Sequence, residues 1–139
     1  MLKVLFVCIH NSARSQMAEA FANFYGKGKL IAQSAGIEPG KLNPYVVKVM
    51  GEIGIDISNN QTKSVLSFLK DGYSFDYVVT VCDATSGERC PFFPGEVKRL
   101  HWEFEDPSSF NGTEEEILLK TRNVRDKIKE KIIEFINSI

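Results

Sequence analysis

The chain is poor in the features that mark whole classes of protein. Its 139 residues carry a net charge of −1, so no basic field suits it to nucleic acid or a membrane surface. No apolar run approaches the roughly 20 residues needed to span a bilayer. Met1-Leu2-Lys3 runs straight into the first apolar stretch, which leaves no room for a secretory leader and points to the cytosol. Only three cysteines are present, an odd number. In a reducing compartment they argue against a disulfide framework and leave catalysis, redox cycling or metal binding. Internal repeats, low-complexity tracts and linkers are missing too. With 43% hydrophobic and 25% charged residues, what remains reads as one ordinary globular domain over residues 1–139. Nothing in it demands more than a monomer.

What is present alternates strand-like and helix-like stretches. Residues 2–7 are a short apolar run, as expected for a central parallel strand. Gln16 to Phe24 reads as a helix with Met17, Phe21 and Phe24 on one face, ending near Gly26. Residues 30–34 suggest a second strand. Pro44 starts a helix that Gly54 stops, and Ser64 to Leu69 forms another. Residues 77–82 and 97–102 supply a third and a fourth strand, separated by a Gly- and Pro-containing loop over 83–95. Thr113-x-x-Glu116 is a capping box that opens a long amphipathic helix striped by Ile117, Val124, Ile128, Ile132 and Phe135. The expectation is an α/β fold: a four-stranded parallel sheet with helices on both faces, in a flavodoxin-like three-layer arrangement.

Chemistry collects where such sheets usually place it, beyond the carboxyl ends of the strands. Cys8 ends the first strand, and Ile9-His10-Asn11-Ser12-Ala13-Arg14-Ser15 leads into the first helix. A strand, a short loop and a helix start point backbone N–H groups and a helix dipole into one concavity, which is an anion site. The same field favours a thiolate at its mouth. Arg14 can grip two oxygens of a tetrahedral anion, and Cys8 then faces that anion as a nucleophile. Ser12 and Ser15 can donate to the sulfur or the anion, and Asn11 tolerates the left-handed backbone such loops need. Asp106, after the fourth strand, is a candidate general acid, although Asp-Pro is also ordinary turn chemistry. Cys82 ends the third strand and Cys90 sits in the loop beyond, an arrangement suited to a thiol–disulfide relay. Cys82 would attack Cys8, Cys90 would attack Cys82, and the stretch between them would rearrange on oxidation. A zinc site from Cys82, Cys90 and His101 lacks a close ligand pair.

Together these residues resemble the low-molecular-weight protein tyrosine phosphatase fold, and within it the thioredoxin-coupled arsenate reductases. The resemblance rests on Cys8-x5-Arg14-Ser15, Ser34-Ala35-Gly36, Ile55-Asp56-Ile57-Ser58-Asn59, Val78-Val79-Thr80-Val81-Cys82-Asp83, Cys90-Pro91 and His101-Trp102-x-Phe104-Glu105-Asp106-Pro107. It implies that arsenate is reduced to arsenite by Cys8, Cys82 and Cys90, with Asp106 as acid and thioredoxin thiols as the electron source. No organic cofactor and no catalytic metal is implied. Some members bind potassium near the loop. Asn11, Glu19 and Ser34 match three of its ligands, but Lys63 falls where an Asp is expected, so its ammonium can replace the ion. Two other readings remain open: a phosphatase that hydrolyses aryl phosphates through a cysteinyl-phosphate, and a non-enzymatic oxyanion or redox sensor. Family phosphatases usually carry aromatic residues after the Asp-Pro pair, where this chain has Ser108-Ser109.

Overall fold

A computed structural model of the chain describes residues 1–82 and 96–139. Four parallel strands lie in the order β2-β1-β3-β4. They are β1 (Leu2–Cys8), β2 (Leu30–Gly36), β3 (Tyr77–Thr80) and β4 (Lys98–His101). The helices are α1 (Arg14–Tyr25), α2 (Pro44–Glu52), α3 (Val65–Lys70) and α4 (Glu114–Ser138), with a 3-10 turn at Pro107–Ser109. The expected fold class is therefore found. The chain runs from β1 outward to β2, then returns to the other side of β1, and that reversal opens a crevice at the C-terminal end of β1.

Alternation along β1 splits the core in two. Val4, Phe6 and Cys8 join a cluster with Met17 and Phe21 of α1, Val46 and Met50 of α2, and Ile128 and Ile132 of α4. Leu5 and Val7 join Val65 and Phe68 of α3 on the opposite face. Each fully buried Ile of α4 is a large apolar anchor; truncation to Ala would cost about 2–5 kcal/mol. Trp102 packs on Phe6 and Phe135, with ring centroids 5.9 and 5.6 Å away. That contact fixes the end of β4 and hence the start of the segment leading to Asp106. No helix among the described residues is long and apolar enough to cross a membrane.

Several boundaries differ from the sequence reading. Helix α1 starts at Arg14 rather than Gln16, and its buried face includes Arg14, Ser15 and Gln16 beside Met17 and Phe21. Phe24, placed on that face by spacing alone, is 60% exposed. Strand β2 continues to Gly36 because its Ala35 and Gly36 pair with Val7 and Cys8. Strands β3 and β4 are shorter than expected, and β4, at the sheet edge, is largely exposed. The 83–95 loop and Cys90 lie outside the described residues.

Candidate active site

The oxyanion loop is built from one strained residue and one close approach. Asn11 holds φ at 53°, the left-handed conformation that Asn tolerates. The loop then presses on β2 at Gly36, where an added Cβ would sit 2.6 Å from Ile9 O and 2.8 Å from Asn11 N. A side chain there would push the loop off the sheet. His10 remains exposed, with Nδ1 3.0 Å from Glu38 O.

Around the Cys8 sulfur the hydrogen bonds have a direction. Asn11 Oδ1 accepts from Lys63 N at 2.9 Å and from Gln16 Nε2 at 3.1 Å, which turns its Nδ2 toward Ser15. That Nδ2 donates to Ser15 Oγ at 2.8 Å. Ser15, its lone pair engaged, can then donate to Cys8 Sγ, 2.9 Å away. The Asn11 N–H donates to the same sulfur at 3.1 Å. Two donors converging on one sulfur suit a thiolate acceptor. The Ser12 carbonyl accepts from Asn43 N at 2.9 Å. Ala13 is the N-cap of α1; no side chain caps that helix, and its first turn holds no acidic residue. First-turn N–H groups without a cap favour an anion.

Arg14 and Asp106 close the opposite wall. Arg14 is buried, donates from Nη1 to Phe104 O at 3.1 Å, and brings Nη2 to 3.6 Å from Asp106 Oδ2. Asp106 caps the 3-10 turn, its Oδ1 accepting from Ser108 N at 2.9 Å. The turn reading of Asp-Pro is therefore found, and the same carboxyl faces Arg14.

The candidate cation residues also meet. Lys63 Nζ lies 3.4 Å from Glu19 Oε1, and Ser34 Oγ donates to the same oxygen at 3.2 Å. Burial pushes the Glu19 carboxyl above its usual value, an effect the Lys63 charge and the Ser34 and Lys63 hydrogen bonds partly offset. Asn11 Oδ1 is already committed to two donors. A fixed cation and satisfied acceptors do not fit a potassium ion as well. Among the described residues no group of three or more His, Cys, Asp or Glu side chains is placed to hold a metal.

Cys8 and Cys82 are both buried. The β1–β3 register pairs Val7 with Thr80, and Val81 N donates to Val7 O at 2.9 Å. Strand β3 ends at Thr80, and Val81 and Cys82 follow it directly. Val81 shares a core cluster with Cys8.

Two contributors escaped the sequence reading. Gln16, fully buried, ties Asn11 O and Gln61 O together through Nε2 and accepts from Asn60 Nδ2. Asn43 links the loop to the acid turn, its Nδ2 donating to Ser108 Oγ at 3.1 Å. The signal for Asn43 was its place before Pro44, a helix N-cap position. A polar residue on the inward face of α1 was the signal for Gln16.

With this geometry in place, similarity to known proteins is informative. The family model described as low molecular weight phosphotyrosine protein phosphatase matches residues 3–139. The chain is 44% identical over 132 residues to an arsenate reductase of Bacillus subtilis (strain 168), covering 95% of this chain and 93% of that protein. A solved arsenate reductase in the phosphate binding state superposes with a TM-score of 0.79 at 35% identity, covering 100% of this chain and 99% of that one. A thioredoxin-dependent arsenate reductase of Corynebacterium glutamicum superposes with a TM-score of 0.61 at 28% identity, over 95% of this chain and 62% of that one.

Proposed function

The chain belongs to the low molecular weight phosphotyrosine protein phosphatase family, and from that premise we propose that it is an arsenate reductase coupled to thioredoxin. Arsenate enters the loop and is held by Arg14 and the backbone N–H groups of residues 9–15. The Cys8 thiolate attacks arsenic while Asp106 gives a proton to the departing oxygen, which leaves as water. The Cys82 thiolate then attacks Cys8; the S–As bonding pair goes to arsenic, which departs as arsenite. A Cys8–Cys82 disulfide remains. Cys90 attacks Cys82, frees Cys8, and leaves a Cys82–Cys90 disulfide for the thioredoxin dithiol to reduce. Cys90 enters from its sequence position alone, since it lies outside the described residues.

The observation that carries this reading is a second buried cysteine, Cys82, just past the strand that pairs with β1, where Val81 N donates to Val7 O next to Cys8. A phosphatase needs one thiol; a relay needs two within reach. Similarity to arsenate reductases over nearly the whole length points the same way. If the ladder's spacing is carried on past Thr80, the Cα atoms of Cys8 and Cys82 lie about 6 Å apart with Cys82 on the other pleat, so residues 81–82 must turn by one position to close the Cys8–Cys82 bond. Lys63 stands in for a bound cation beside Glu19, so no step runs through potassium.

Arsenate turnover with thioredoxin, its reductase and NADPH, run beside 4-nitrophenyl phosphate hydrolysis, tests the proposal. Sustained arsenate turnover with weak aryl phosphate cleavage is expected. Aryl phosphate cleavage with no arsenate-dependent NADPH oxidation would leave the phosphatase reading instead.

A further inference from the structure

The oxyanion loop and the acid-bearing turn are joined by a residue that belongs to neither. Asn43 Oδ1 caps α2, accepting from Tyr45 N at 2.8 Å and Val46 N at 3.3 Å. Its backbone N–H donates to Ser12 O in the loop at 2.9 Å. Its Nδ2 donates to Ser108 Oγ at 3.1 Å. The Ser108 N–H in turn donates to Asp106 Oδ1 at 2.9 Å, and Asp106 Oδ2 lies 3.6 Å from Arg14 Nη2. Ser12, Asn43, Ser108, Asp106 and Arg14 thus form a closed ring of contacts that starts and ends in the loop.

The ring is stiff at Asn43. One planar amide does both jobs: its oxygen holds the α2 cap and its nitrogen holds Ser108. The side chain is buried, 8% exposed, and cannot swing away from Ser108 without releasing the cap. A buried amide with every group engaged has one orientation. The turn carrying Asp106 is exposed by comparison, and Asp106 itself is 23% exposed. The bonds to Asp106 from the Pro107–Ser109 turn are local, from Ser108 N to Oδ1 and from Ser109 Oγ to the carbonyl.

We propose that Asn43, acting through Ser108, is a positioning residue for the general-acid step: it sets how far the Asp106 carboxyl stands from the oxygen that leaves. This rests on the reading of Asp106 as the acid. Asp106 gives up the proton and becomes a carboxylate, the leaving oxygen takes it, and Asn43 exchanges nothing. The ring also ties the acid to Ser12 and Arg14, so loop and acid move as one body when the anion binds.

Ser108→Ala removes the Oγ acceptor and keeps both the α2 cap and the Ser108 N–H bond to Asp106. Asn43→Ser keeps a capping oxygen and loses the reach to Ser108. Each should lower kcat about tenfold, part of the ~10²–10⁴-fold a general acid supplies, with KM changed less than about twofold. The double variant should be no slower than the worse single one, because both break one contact. With aryl phosphates, the loss should be larger for phenyl phosphate than for 4-nitrophenyl phosphate, whose good leaving group needs the proton less. A merely structural role would slow both esters equally and lower the melting temperature in step with activity. Equal losses on the two esters, additive losses in the double variant, or unchanged kcat in Ser108→Ala would overturn the proposal. If the unaltered protein turns over neither arsenate nor aryl phosphate, the assignment of the site itself fails, and this inference with it.

Discussion

Lys63 Nζ stands 3.4 Å from Glu19 Oε1, and the two side chains are 31% and 13% exposed. A lysine side chain therefore sits beside a carboxylate that burial disfavours as an anion. Arsenate turnover should be the same in potassium and sodium chloride at equal ionic strength. In Lys63→Met the carboxylate keeps its burial and loses its partner, and turnover should become sensitive to the choice of cation. A strong potassium requirement in the unaltered protein would refute the substitution of the ion by Lys63.

The same pair predicts a pH dependence of stability. Burial raises the Glu19 carboxyl above its ordinary value in the folded protein. The folded state thus holds this proton more tightly than the unfolded one, and the Glu19 contribution to stability declines as pH rises through that raised value. Lys63 opposes the decline by stabilising the anion. Lys63→Met should therefore cost about 1–3 kcal/mol where Glu19 is ionised, within the range for breaking a half-buried pair. That cost should shrink as pH falls and Glu19 takes up its proton. Urea unfolding of both forms between pH 4 and pH 8 measures it; a gap that widens toward acid would contradict the assignment.

The loop between β1 and α1 could be placed directly because its parts are contiguous: Cys8, Asn11, Arg14 and Ser15 lie within a few residues of one strand end. The three-layer fold was readable from short apolar runs separated by helical periodicities. What escaped depends on distant partners. Asn43 meets Ser108 across 65 residues and Gln16 meets Gln61 across 45, and no local pattern announces such pairs. Phe24 was misplaced for a related reason. The inward arc of α1 is taken partly by Arg14, Ser15 and Gln16, which face the site, so an apolar stripe drawn through Phe24 turns too far.

The relay makes separable predictions for its two later thiols. Cys82→Ser should bind arsenate and fail to release arsenite, because no sulfur on the neighbouring strand can attack Cys8. Cys90→Ser should complete one turnover and stop with a Cys8–Cys82 disulfide, seen as one arsenite per chain and the loss of two free thiols. In that trapped form the Val81 N–H bond to Val7 O should be lost, since closing the disulfide from the other pleat requires the chain to turn there. Faster amide exchange at Val81, with Val79 unchanged, is the expected signature. Multi-turnover activity of Cys90→Ser with thioredoxin would remove Cys90 from the mechanism.

Asp106→Asn should affect binding and turnover in opposite directions. The substituted amide can still accept from Ser108 N, so the 3-10 turn keeps its cap. It has no proton to give, and the leaving oxygen must depart unassisted; kcat should fall by about 10²-fold or more. Yet the carboxylate now 3.6 Å from Arg14 Nη2 competes with any anion for that guanidinium. Removing its charge frees Arg14 for the anion and removes a like charge from the mouth of the loop. Phosphate, used as an unreactive probe, should therefore bind Asp106→Asn more tightly by calorimetry, by several-fold at low ionic strength and less so as salt screens the effect. Weaker phosphate binding together with slow turnover would mean that Asp106 helps to shape the anion site rather than waiting beside it to deliver a proton.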